Sequence, residues 1–119
     1  MKYTKFTNLE ATNIKGANID GELANKKQYS ASVEMSVDTT LTADQANSLA
    51  VLFTCSAASK ALTLGLDDGQ VMFVANIGGT NAVTVKAIAG DSGSSVGAGK
   101  VAIVVASKTA NASKIYVLN

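Results

Sequence analysis

Residues 71–75 read VMFVA and residues 101–106 read VAIVVA, and both runs are apolar at consecutive positions. In a small antiparallel fold, each strand is expected to bury one face in the core and to leave the other face in water. These two runs instead predict strands that need cover on both faces. A chain of 119 residues builds one modest core. The second faces therefore require cover from elsewhere, and a second copy of the chain is the simplest source.

Covering one valine or isoleucine side chain is worth roughly 1.5–3 kcal/mol. A handful of such side chains across an interface would offset the cost of association. The predicted oligomer interface consists of Val71, Phe73, Val101, Ile103 and Val105.

The rest of the chain from residue 32 onward alternates short β-branched runs with turns rich in Gly, Ser and Asn. No helical pattern is long enough for a βαβ crossover. We therefore predict an all-β fold: a small antiparallel β-sandwich or barrel-like domain of about seven strands, covering residues 32–119. The predicted strands are residues 32–37, 49–54, 61–64, 70–77, 82–88, 100–106 and 113–118.

Local signals refine this prediction. Thr42 and Gln45 have the spacing of a capping box, which predicts a single helical turn. Residues 70–88 read as a hairpin, because two β-rich runs flank the loop GGTN. Residues 89–99 are predicted to be a flexible loop of Gly, Ser and Asp. The run DDG at residues 67–69 predicts a turn.

Residues 1–31 differ in composition, since they hold half of the lysines and few apolar residues. Between residues 7 and 21, a small residue, Asn and an aliphatic residue recur every five positions, which resembles the pentapeptide-repeat pattern of square β-solenoids. The match is shorter than one coil, and solenoid repeats need stacked neighbours. We favour an extended N-terminal arm over a partial solenoid. Its docking residues are Phe6, Leu9, Ile14 and Ile19.

The residue inventory argues against catalysis. The chain has no His, no Arg, no Trp and no Pro, and its single Cys55 reads as a small buried hydrophobe. Residues 94–100, SSVGAGK, lack the first Gly, the final hydroxyl and the helix of a phosphate loop. We predict no catalytic residue, no cofactor and no metal site. With a net charge of +1 and no basic stripe, neither nucleic acid nor membrane is an expected partner.

The second half of the chain carries a family likeness. Its motifs are ALTL at residues 61–64, Gly69, Phe73, Asn76, Gly78, VTV at residues 83–85, the apolar run at 101–105, and Ile115 with Tyr116. This pattern resembles the small β-domains of tailed-phage virion proteins, in which a TLTLP strand leads into a G…F…N…G hairpin. The likeness covers residues 39–118. The chain has Gly65 where that pattern has Pro, and no Trp beside Tyr116.

The resemblance implies a homotrimeric structural protein of a virion, made in the host cytoplasm and bound to the major capsid protein. Within this class, the short chain and the spaced arm favour a head decoration (cement) protein on the outer capsid surface. The alternative is a tail-fibre or head-fibre module that binds host-surface carbohydrate or a receptor. A small hydrolase that uses Asp67 and Asp68 is the least favoured hypothesis, because no local signature supports it.

Overall fold

The computed structural model describes residues 30–109 and 111–118, which form nine β-strands and one short helix. The all-β class predicted from the sequence is confirmed. The elements are β1 (Ser30–Met35), β2 (Thr39–Thr40), α1 (Ala43–Ala46), β3 (Ala50–Cys55), β4 (Lys60–Thr63), β5 (Val71–Asn76), β6 (Val83–Lys86), β7 (Ser94–Val96), β8 (Val101–Val105) and β9 (Lys114–Leu118).

The strands form two mixed sheets. Sheet A has the order β1-β3-β5-β8-β9, and sheet B has the order β2-β4-β6-β7. Strands β1 to β6 alternate between the sheets, and within each sheet the successive strands pair in parallel. Strands β7, β8 and β9 then add antiparallel pairs. Inner residues of both sheets belong to one core cluster, which includes Phe53 and Met72 from sheet A and Leu62 and Val85 from sheet B.

The predicted antiparallel pairing is correct only for β5–β8, β6–β7 and β8–β9. The absence of long helices does not exclude parallel pairs here. Parallel neighbours need a crossover of a dozen or more residues, and between β3 and β5 that crossover passes through β4 in the other sheet. Strands that are apolar at consecutive positions are typical of parallel sheets, yet of the two such runs only β5 has a parallel neighbour, and β8 pairs antiparallel on both sides.

The hairpin predicted for residues 70–88 is also wrong, because β5 and β6 lie in different sheets. The chain crosses between the sheets after Asn76, whose side chain is almost fully buried. Its Nδ2 donates to the carbonyl oxygens of Asn81 (2.8 Å) and Val96 (3.0 Å), and its Oδ1 accepts from the Gly78 N–H (3.1 Å). Asn81 Nδ2 in turn donates to the Cys55 carbonyl oxygen at 2.9 Å. This network holds the chain in its crossing from sheet A to sheet B. A tight turn at the same point would have made a hairpin within one sheet.

Residues 89–99, predicted to be a flexible loop, contain strand β7 and the fully buried Val96. Gly93 makes this possible, because it has φ +78° and lies against the preceding strand. A Cβ added at Gly93 would lie 2.6 Å from the carbonyl oxygen of Val85. Only glycine therefore allows β7 to approach β6 so closely.

Gly93→Ala is expected to destabilise the domain more than Gly69→Ala does. Gly69 has a similar φ of +81° but nothing within 4 Å of an added Cβ. Alanine in this left-handed region costs about 1–2 kcal/mol at either position. Overpacking at Gly93 adds about 1–3 kcal/mol. Urea unfolding of both variants measures the difference, and equal losses of unfolding free energy would contradict the close-approach role of Gly93.

The helical turn predicted from the sequence is present. The capping box is confirmed, since Thr42 Oγ1 accepts from the Gln45 N–H and Gln45 Oε1 accepts from the Thr42 N–H at the start of α1. The predicted arm, with Phe6, Leu9, Ile14 and Ile19, lies outside the described residues. Strand β1 begins at Ser30, just before the predicted boundary between residues 31 and 32.

Candidate functional site

The strands β5 and β8 lie side by side in sheet A and have one buried and one outward face. Met72 and Val74 of β5 point into the core and are fully buried. Val71 and Phe73 alternate with them and are 50% and 42% exposed, and Val101 of β8 is 39% exposed. Within residues 30–109 and 111–118, one face of each strand is thus covered by the core and the other is open.

The outward residues of neighbouring strands are in register, so they form continuous rows across sheet A. One row joins Ala50, Phe73, Ile103 and Tyr116. The next row joins Leu52, Ala75, Val101 and Leu118, and a shorter row joins Val71 to Val105. We call this surface the outer face; its large apolar members are Leu52, Val71, Phe73, Val101, Ile103, Val105, Tyr116 and Leu118.

The outer face has an apolar area of a few hundred Å². With strands about 4.8 Å apart and same-face residues about 6.7 Å apart, the patch over β3, β5, β8 and β9 covers roughly 400 Å². The largest apolar patch on a typical monomeric protein covers about 300–600 Å² and is often functional, above all where polar residues surround it. The rim is present, because Lys114 of β9 and Glu34 of β1 lie at opposite ends of the surface.

All five predicted interface residues lie on this one surface. Val71, Phe73 and Val101 are exposed, and Ile103 and Val105 are partly buried. The sequence reasoning missed Tyr116 and Leu118, which are 56% and 47% exposed on β9. Their apolar character was visible in the sequence. Their place beside Ile103 and Val101 depends on the register of β8 with β9.

Cys55 is buried, as its sequence context predicts, and its Sγ donates to the Ala57 carbonyl oxygen at 3.1 Å. In the predicted turn at residues 67–69, the backbone carbonyl oxygen of Asp67 accepts from the Gln70 N–H, and the Asp68 carboxylate oxygen Oδ1 accepts from the Lys108 N–H. Within residues 30–109 and 111–118, no three His, Cys, Asp or Glu side chains come close enough to hold a metal ion.

The lysine-ending run at residues 94–100 leads into a strand. Ser94–Val96 is β7, Lys100 closes a turn through its N–H to the Gly97 carbonyl oxygen, and Val101 starts β8. No helix follows to present N–H groups to a phosphate. The run is therefore part of the sheet framework.

Comparison of the chain with known protein families, with curated proteins and with solved structures finds no match. Among the helical residues in the described part of the chain, none forms a segment long and apolar enough to cross a membrane.

Proposed function

We propose that this chain is a structural virion protein, a capsid decoration (cement) protein of a tailed phage. In this proposal it binds the outer capsid surface as a homotrimer and stabilises the capsid lattice. The observation that carries the proposal is the outer face: an ordered, nearly charge-free apolar surface over the centre of sheet A. The phage assignment itself rests on the motif likeness over residues 39–118.

The energetics favour association. Covering a half-exposed Val, Ile, Leu or Phe gains roughly 1 kcal/mol, which is about half the value of full burial. Association costs about 4–15 kcal/mol in lost translational and rotational freedom. The large apolar side chains of the outer face together reach that range, while any two or three of them would not. The whole surface must therefore be covered at once, which a like copy with the same surface can do.

The polar side chains support a structural role. Asp38 Oδ1 accepts from the Ala61 N–H at 3.0 Å, and Asp91 accepts from the N–H groups of Ile88 and Asn111. Such bonds satisfy backbone donors in turns. These carboxylates are thus used in holding loops together. This use of the two carboxylates supports an assembly role.

The proposed docking element is the N-terminal arm, with Phe6, Leu9, Ile14 and Ile19 contacting the major capsid protein. The arm sequence leads into β1, the edge strand of sheet A, so in a trimer three arms would start beside the associated faces. Once one arm of a trimer has docked, the other two arms are held near their own docking sites. Their effective concentration at those sites is therefore high, which increases overall affinity without new contacts.

Deleting residues 1–28 is expected to leave the β-domain folded and to abolish docking. The described core residues lie between Val33 and Ala106, downstream of the deleted segment. The measurement is co-sedimentation of the full and shortened chains with empty heads of the parent phage, with circular dichroism as the folding control. Unchanged affinity of the shortened chain would contradict the arm assignment.

The same co-sedimentation assay tests the proposed function. The full chain is expected to bind empty heads saturably and to raise the temperature at which they break open. A glycan array run in parallel covers the fibre-module alternative. Saturable glycan binding without affinity for heads would overturn the decoration proposal.

A further inference from the structure

We draw no further inference here: the strongest candidate, the apolar outer face of sheet A over β3, β5, β8 and β9, carries nothing beyond the proposed function because nothing in the structure shows what covers it.

Discussion

Phe73→Lys is expected to convert the proposed trimer into monomers while the domain stays folded. Phe73 lies at the centre of the outer face, and its side chain is 42% exposed in the single chain, so a lysine there reaches solvent in the monomer. In the assembled state the same ammonium would be taken out of water without a partner. That costs at least about 3 kcal/mol per copy together with the lost apolar contact.

Because a trimer contains three copies, the total loss is about 9 kcal/mol, which lowers the assembly constant by about 10⁶. The measurement is light scattering after size exclusion, with far-ultraviolet circular dichroism to confirm folding. The matched control is Ser95→Lys, which adds the same charge at an exposed position of β7 in sheet B. A Phe73→Lys variant that keeps the mass of the unmodified chain would show that the outer face is not the interface.

Asn76→Leu is expected to reduce the free energy of unfolding by about 3–5 kcal/mol, since each buried polar group left without a partner costs about 1–3 kcal/mol. The substitution keeps a side chain of similar size. It removes the partners of the Asn81 and Val96 carbonyl groups and of the Gly78 N–H. Small domains are stable by only about 5–15 kcal/mol in total. The variant is therefore expected to be partly unfolded at 37 °C.

Asn81→Leu serves as the control for Asn76→Leu. The Asn81 side chain is only partly buried, and its Nδ2 donates to the Cys55 carbonyl oxygen. Its loss is expected to cost about 1 kcal/mol. Urea unfolding of both variants gives the comparison. Equal and small losses would mean that the crossing between the sheets does not depend on the Asn76 network.

The positions of most strands could be read from the sequence, because alternating and β-branched runs report local backbone preference. Seven predicted strands match β1, β3, β4, β5, β6, β8 and β9 to within a few residues. Strand β2 was missed because it has two residues, and β7 was missed because its SSV sequence lies among glycines. Composition alone does not show that Gly93 brings β7 against Val85.

The pairing of the strands could not be read in the same way. Whether the chain after Asn76 turns back in its own sheet or crosses to the other sheet depends on the hydrogen bonds from Asn76 to Asn81 and Val96. A local sequence pattern does not show these bonds. For the same reason, only part of the candidate site could be predicted from the sequence. The runs that are apolar at consecutive positions identified Val71 and Val101. Tyr116 joins the same surface only through the pairing of β8 with β9, which is a tertiary contact.

The mass of the unmodified full-length chain in solution tests the central claim most directly. Size exclusion with static light scattering, repeated over dilution through the micromolar range, measures it without any substitution. If copies cover one another's outer faces, the mass is three times the 12.1 kDa of the chain and holds on dilution to about one micromolar. A mass of 12.1 kDa at micromolar concentration would mean that the outer face remains in water, and it would contradict the account.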